Sequence, residues 1–266
     1  MVADGSPAQP IECSTADHVR YITINRPERR NSLDDTTRHL LIEAFVAANA
    51  DDDVRVVVLT GAGDKAFCAG RDLKQLNSQA AGSGTAMVGQ MSGSERNPYE
   101  VVMETYKPTI ALLNGPAVGG GFELALACDL RLAADHDFVQ LPEAKRGMGA
   151  NFSSVMLHRL LPSAIAFETL YLGDPLSPAD ALRWGLFNRV VPGSELQKTG
   201  ADLAERIAAN APLTVRRFKQ AAVKTAGMPL AAALRLEPGP DPYASEDRVE
   251  GVRAFVEKRP PVWRGR

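Results

Sequence analysis

The segment that decides the fold reads Asn114-Gly115-Pro116-Ala117-Val118-Gly119-Gly120-Gly121-Phe122-Glu123-Leu124-Ala125. It joins a predicted buried strand over residues 109–113 to a predicted helix that runs through Cys128. Glycines that lead into a helix can aim bare N–H groups at a developing oxyanion. Glu123 follows these glycines, and a second glutamate, Glu143, follows Pro142. Two carboxylates near one substrate can divide acid and base duty. The segment therefore predicts chemistry on a carbonyl compound whose enolate is held by backbone amides.

Composition narrows the class of protein. The chain has 266 residues, 45% of them hydrophobic, and a formal net charge of −2. A single α/β domain with a sizeable core commonly has this length, and the charge gives no reason to expect a nucleic-acid partner. Cys13, Cys68 and Cys128 have no disulfide-framework spacing, so reduced thiols in a cytoplasmic protein are expected. We find neither a signal-peptide pattern nor a membrane-spanning apolar run, so no membrane partner is predicted.

Strand and helix patterns alternate along the first two thirds of the chain. The predicted strands cover residues 21–25, 54–60, 109–113, 130–133, 138–140 and 187–191. A helix is predicted over residues 34–50, because Leu40, Leu41, Ala44, Phe45 and Ala48 share one helical face. This alternation indicates an α/β core with right-handed crossovers.

Three regions follow from these patterns. We predict a flexible N-terminus over residues 1–10, a core that carries the site over residues 11–194, and a helical C-terminal region over residues 195–266. Within that last region, prolines at 238, 240 and 242 precede a final predicted helix around residues 246–258. Residues 75–100 mix glycine and serine with scattered apolar residues, which predicts a mobile loop or a poorly ordered helix over a site.

Four stretches, taken in order, carry a resemblance to a known family. They are Asn25-Arg26-Pro27-Glu28 with Asn31-Ser32-Leu33; Ala66-Phe67-Cys68-Ala69-Gly70-Arg71-Asp72-Leu73-Lys74; Lys107-Pro108-Thr109-Ile110-Ala111 through the glycine segment to Cys128-Asp129; and Pro142-Glu143 with Trp184-Gly185-Leu186. From about Tyr21 to Lys258 the chain resembles the crotonase family, also called the enoyl-CoA hydratase/isomerase superfamily. The resemblance implies a β-β-α spiral core and a helical C-terminal region that forms a homotrimer or homohexamer.

The resemblance also implies roles for individual residues. The family binds an acyl-CoA thioester with its carbonyl oxygen between two backbone N–H groups, which match Arg71 and Gly120 here. The Arg71 side chain would face the CoA phosphates or the neighbouring loop. In hydratases of the family two glutamates hold a water molecule and shuttle its proton, and they match Glu123 and Glu143.

Further positions are implied as substrate-binding, namely Ala69, Gly70, Asp72, Leu73, Lys74 and Asn151. Residues 146–154 depart from the hydratase pattern, which is a glycine-rich turn at this place. Asn151 aligns with the amide that normally helps to place the water, while Met148 and Phe152 are positioned to reshape the acyl pocket.

Other interpretations exist for the same residues. The three glycines could form only a tight strand-to-helix turn, Glu123 could be a first-turn acid favoured by the helix dipole, and Glu143 could be a solvated loop residue. A G-x-G-x-x-A run after a predicted strand imitates a dinucleotide-binding fingerprint, but a turn, not a helix, is expected to follow it. It reads Gly61-Ala62-Gly63-Asp64-Lys65-Ala66. The four histidines show no metal-ligand spacing, so no metal is expected.

The function expected from these observations is the hydration of a 2,3-enoyl-CoA to the 3-hydroxyacyl-CoA. No cofactor is expected, because coenzyme A is part of the substrate. An enoyl-CoA isomerase, or other chemistry of the family, is the alternative, since this fold hosts several reactions. A non-catalytic acyl-CoA-binding protein is a third hypothesis, against which the presence of both glutamates counts.

Overall fold

The computed structural model describes residues 9–75, 77–78 and 96–266. The strands of its main sheet are β1 (Ile11–Ala16), β2 (Val19–Ile24), β3 (Val56–Gly61), β4 (Thr109–Leu113), β6 (Leu130–Ala134) and β8 (Arg189–Val191). They lie in the order β1-β2-β3-β4-β6-β8. Only β1 and β2 pair antiparallel, and the other neighbours pair parallel. The predicted α/β class with a mainly parallel sheet is confirmed.

Helices cover both faces of this sheet. Those that lie wholly within the described part of the chain are α1 (Asp35–Ala50), α2 (Pro98–Met103), α3 (Gly120–Ala127), α4 (Asn151–Leu160), α5 (Ser163–Leu172), α6 (Pro178–Arg183), α7 (Gly193–Ala208), α8 (Pro212–Lys224), α9 (Leu230–Ala233) and α10 (Glu246–Glu257). The predicted helix over residues 34–50 corresponds to α1, whose first turn is capped by the Asp34 carboxylate accepting from the Thr37 N–H at 2.8 Å.

The core lies on the two sides of the central strands. Every position of β3 and β4 is buried, as expected for parallel strands covered on both faces. One apolar cluster joins the sheet to Leu41 and Phe45 of α1 and continues into α3. A second cluster joins the other face to Leu196 and Ala204 of α7. The sheet is thereby fixed as a rigid platform beneath the loops at its strand ends.

A second, two-stranded sheet positions the functional region. It pairs β5 (Ala117–Val118) in parallel with β7 (Val139–Gln140). Cys68 forms an isolated bridge with Ala117, and the Val118 N–H donates to the Cys68 carbonyl at 3.0 Å. The segment after β3, the glycine segment and the segment that carries Glu143 are therefore brought together at one place.

One strand of the structure was not predicted, and one expected turn is present. Strand β1 was missed, because all of its residues except Ile11 are exposed and no apolar alternation marks it. It turns into β2 through Asp17 and His18, both with positive φ, in place of a glycine-containing turn. The expectation that a turn, not a helix, follows Gly61–Ala66 is confirmed, because β3 runs into bends and a short bridge there, which is not the geometry of a dinucleotide-binding fingerprint.

Two regional predictions fall largely outside the described residues. These are most of the predicted flexible N-terminus, of which residues 9–10 are described, and most of the predicted loop over residues 75–100. The C-terminal third is helical from Gly193 onward. None of the helices that the structure describes is long and apolar enough to cross a membrane.

Candidate active site

Two backbone segments cross at the start of α3. Gly70 has a φ of +79°, and a Cβ on it would lie 2.6 Å from the Val118 carbonyl oxygen and 2.9 Å from the Gly120 nitrogen. Both the left-handed backbone and the close approach exclude any residue but glycine there. The Arg71 nitrogen, one residue on, lies 3.8 Å from where a Gly120 Cβ would stand. The amides of Arg71 and Gly120 are therefore close neighbours.

These two amides are suited to hold an oxyanion. Within the described residues, neither donates a hydrogen bond to a protein acceptor. Gly120 opens α3, an eight-residue helix that is buried along its whole length, so the helix dipole adds positive potential at the same point. Aimed amides in a buried setting are the usual means of stabilising an enolate oxygen. The assignment of Arg71 and Gly120 as the two donors stays a prediction, which this geometry supports.

Glu123 lies one turn into α3 and is held by three donors. Its side chain is only 3% exposed. Its Oε1 accepts from the Ser153 N–H at 2.9 Å and from the Ser153 hydroxyl at 3.0 Å, and the Tyr99 hydroxyl also hydrogen-bonds this carboxyl group. Ala150, before α4, offers no side-chain cap, so Glu123 supplies the acceptor for that helix N-terminus. Three donors fix Glu123 as an oriented acceptor.

Glu143 lies across the glycines in a different setting. It belongs to a 3-10 helix, Pro142–Arg146, and its Oε1 lies 2.8 Å from where a Gly119 Cβ would stand. Its Oε2 is buried and has no hydrogen-bond partner among the described residues. Burial raises the pKa of Glu143 to about 7, and the charge of Glu123 adds to this, while its own backbone N–H and Arg146 oppose it. Glu143 can therefore hold and release a proton near neutral pH.

A pocket unites most of the predicted site residues. It is lined by Ala69, Gly70, Arg71, Leu73, Val118, Gly119, Gly120, Glu123, Glu143, Arg146, Met148 and Gly149. Both glutamates and both predicted oxyanion donors thus face one space. A carbonyl compound bound there would meet amides and two carboxyl groups with different environments.

Three predicted substrate-binding residues do not line this pocket. Asp72 accepts from the Lys74 N–H at 3.1 Å, as a helix-capping residue does. It also forms an ion pair with the Arg26 guanidinium at 3.6 Å. Lys74 is exposed. Asn151 is the exposed first residue of α4, and the amide that reaches Glu123 belongs to Ser153 instead. Their roles toward a substrate remain predictions.

Tyr99 and Ser153 belong to the site but are not among the residues that the sequence predicts for it. Tyr99 is 3% exposed, packs on Phe152 with ring centroids 5.1 Å apart, and hydrogen-bonds Glu123. Burial, followed by the nearby charge of Glu123, holds its pKa well above the usual range. No local signal marks Tyr99, because its partner lies on another helix. Ser153 lies in the unusual run after Glu143. The signal that could have identified it is a hydroxyl-bearing residue close to a predicted helix N-terminus.

Two cysteines and one aspartate take structural roles. Cys68 and Cys128 are buried, and burial raises the pKa of each to about 12. Asp129 accepts from the Thr109 N–H at 2.7 Å and pairs with Lys219 at 2.8 Å, which ties β4 to α8. In the part of the chain that is described, no group of His, Cys, Asp and Glu has the arrangement of a metal site.

Comparisons with known proteins agree on one family. The sequence profile of the enoyl-CoA hydratase/isomerase family matches residues 14–266. The (E)-benzylidenesuccinyl-CoA hydratase of Thauera aromatica is 40% identical over 96% of this chain and 99% of its own length. The carnitinyl-CoA dehydratase of Salmonella typhi is 40% identical over 92% of this chain and 94% of its own. The enoyl-CoA hydratase structure from Bacillus anthracis superposes with a TM-score of 0.86 at 34% identity, over 97% of this chain and 100% of that one.

Proposed function

Because this chain belongs to the enoyl-CoA hydratase/isomerase, or crotonase, family and is an enzyme of that family, we propose that it adds water across a 2,3-enoyl-CoA. The product is the 3-hydroxyacyl-CoA. The observation that carries the proposal is the contrast between two glutamates in one pocket. Glu123 is buried and fixed by three donors, whereas Glu143 is half-buried and its Oε2 atom has no hydrogen-bond partner among the described residues.

The proposed mechanism assigns one step to each group. The thioester carbonyl oxygen lies between the Arg71 and Gly120 amides, which stabilise the enolate that forms when water attacks C3. Glu123 orients that water and accepts its proton. Glu143 gives a proton to C2. Each oxyanion donor is worth about 3 kcal/mol of activation barrier, and each positioned acid or base contributes about a hundredfold or more in rate.

The names of the relatives support water as the second reactant. One relative is a hydratase and another is a dehydratase of CoA thioesters, and both reactions need the two proton transfers that the glutamates provide. No cofactor is needed for this reaction, because coenzyme A enters as part of the substrate. An isomerase would use one glutamate to move a proton between carbons, and the second glutamate would have no role in the reaction.

The experiment that tests this proposal is hydration of crotonyl-CoA and of a longer enoyl-CoA in ¹⁸O-labelled water. Glu123→Gln and Glu143→Gln should each lower kcat by at least about a hundredfold, with little change in acyl-CoA affinity. Glu168→Gln, an exposed position on α5, is the matched control and should keep its rate. Conversion of a 3-enoyl-CoA to its 2-enoyl isomer, with no label entering any 2-enoyl substrate, would overturn the hydratase proposal.

We also propose that the chain assembles as a homotrimer or homohexamer. Support comes from apolar side chains left in solvent on the C-terminal helices, since large exposed apolar patches mark protein contacts. They include Phe218, Leu230, Leu234, Phe255 and Val256, all at least two thirds exposed. Sedimentation equilibrium tests the proposal, and a monomer at micromolar concentration would contradict it.

A further inference from the structure

The Arg71 side chain lies in the candidate active site with part of its hydrogen-bonding capacity unused. Its backbone amide belongs to the predicted oxyanion pair, but its guanidinium is a separate group. The Nε atom is buried and has no hydrogen-bond partner among the described residues. The guanidinium makes one ion pair, from Nη2 to the Asp35 carboxylate at 3.3 Å. A buried guanidinium N–H without an acceptor is costly unless a ligand supplies one.

A second guanidinium lies beside it. Arg38, one turn into α1, is 3.8 Å from the same Asp35 oxygen. Two arginines therefore share a carboxylate that is itself about half exposed to solvent. Burial lowers the pKa of Arg71, and the neighbouring charge of Arg38 lowers it further. The charge of Asp35 opposes this shift, and its single carboxylate faces two guanidinium groups, one of which keeps a buried N–H available to an anion.

The position of the pair relative to Glu123 indicates which part of a substrate it would meet. Arg71 lines the same pocket as Glu123 and Gly120. The hydroxyl of Tyr99 hydrogen-bonds Glu123, and it lies 2.6 Å from where a Gly120 Cβ would stand. Arg71 therefore adjoins the catalytic glutamate and the predicted oxyanion amide, and Arg38 is linked to it through Asp35. A substrate's reacting carbons must lie there, so the adjoining space takes its acyl group.

We propose that Arg71 and Arg38 bind a carboxylate carried by the acyl group of the substrate. The inference rests on the proposed function and narrows it: the substrate is an enoyl-CoA in which a dicarboxylic acid is thioesterified at one end. A planar guanidinium matches a carboxylate with two parallel N–H···O bonds. The free Nε of Arg71 supplies one such donor beside its Nη groups.

The same anion-binding chemistry could serve a phosphate of coenzyme A, so the experiment separates the two sources. Calorimetry would compare succinyl-CoA with butyryl-CoA, which have equal carbon chains and differ by a carboxylate in place of a methyl group. The proteins are the wild-type enzyme, Arg71→Met, Arg38→Met and, as the control, Arg159→Met at an exposed position on α4. Methionine keeps the unbranched side chain and removes the charge.

We expect wild type and Arg159→Met to bind succinyl-CoA more tightly than butyryl-CoA. In Arg71→Met that preference should fall about ten- to a hundredfold, the usual effect of losing a hydrogen-bonded charge pair, with a smaller fall in Arg38→Met. Equal affinity for the two ligands in the wild-type enzyme would overturn the proposal. A second outcome would also overturn it. If Arg71→Met weakens the binding of succinyl-CoA and butyryl-CoA equally, and does not weaken the binding of the phosphate-free pantetheine thioesters, the arginines bind a CoA phosphate.

A turnover measurement separates this inference from the proposed function. Glutaconyl-CoA and 2-pentenoyl-CoA also have equal carbon chains, and the ratio of their kcat/KM values should fall in Arg71→Met to the same degree as the binding preference. A wild-type enzyme that discriminates succinyl-CoA from butyryl-CoA but hydrates neither enoyl substrate would contradict the proposed function and leave the carboxylate site standing. A wild-type enzyme that hydrates both substrates equally well would support the proposed function and contradict the carboxylate site.

Discussion

The pH dependence of hydration follows from the environment of Glu143. In the proposed mechanism this residue must carry a proton in order to give it to C2. Burial raises the pKa of its carboxyl group to about 7, from an ordinary value of 4.5. With that pKa, about nine tenths of the enzyme is protonated near pH 6 and about one tenth near pH 8. We therefore expect kcat/KM for hydration to fall about tenfold between those two values.

The sign of the effect can be checked with a neighbouring charge. Arg146 lines the same pocket and lowers the pKa of Glu143 by favouring the carboxylate. Arg146→Gln should remove that influence, so the decline in rate should move to higher pH. Arg159→Gln, which changes a charge on the exposed face of α4, should leave the profile in place.

The assay is the loss of enoyl-thioester absorbance at saturating and limiting substrate across the pH range. The residual activity of Glu143→Gln should lack the declining limb. A rate that is flat or rising from about pH 6 to 8, or a decline that survives in Glu143→Gln, would show that the protonated Glu143 is not the proton donor.

Three further outcomes are expected. Tyr99→Phe keeps the ring stacked on Phe152 but deletes a donor to Glu123, so kcat should fall about ten- to a hundredfold with KM little changed; unchanged kcat in steady-state kinetics would contradict this. Ser153→Ala keeps the N–H but loses the hydroxyl bond to Glu123, so kcat should fall about tenfold. Asn151→Gly, the control, should leave kcat unchanged. Burial raises the pKa of Asp137 to about 8 from 3.8, so its ionisation opposes folding increasingly as pH rises between those values. Asp137→Asn should therefore stabilise the protein by about 2–5 kcal/mol near pH 9 and by little near pH 4, as urea denaturation would measure, and equal effects at both pH values would refute the cause.

The central sheet of this protein can be predicted from its sequence alone. The apolar runs at β3 and β4 can be buried only between two layers, so their composition specifies a parallel sheet covered by helices. The segment from Gly119 to Glu123 likewise specifies locally that a turn with bare amides leads into a helix, because glycine is required where backbones cross closely. Strand β1 escaped prediction because a mostly exposed edge strand needs no apolar pattern.

The surroundings of each glutamate depend on contacts that local sequence does not specify. Glu123 and Glu143 are the same residue type, and nothing in their local sequence indicates that one accepts three hydrogen bonds while the other keeps an oxygen without a partner among the described residues. That difference depends on Tyr99 and Ser153, which reach Glu123 from other helices. The position of the Arg71 guanidinium beside Arg38 is likewise a product of the crossing between the segment after β3 and α1. Such contacts form between residues that are far apart in the chain. They determine the hydrogen bonding and the pKa values in the pocket, because both depend on spatial neighbours and not on neighbours in sequence.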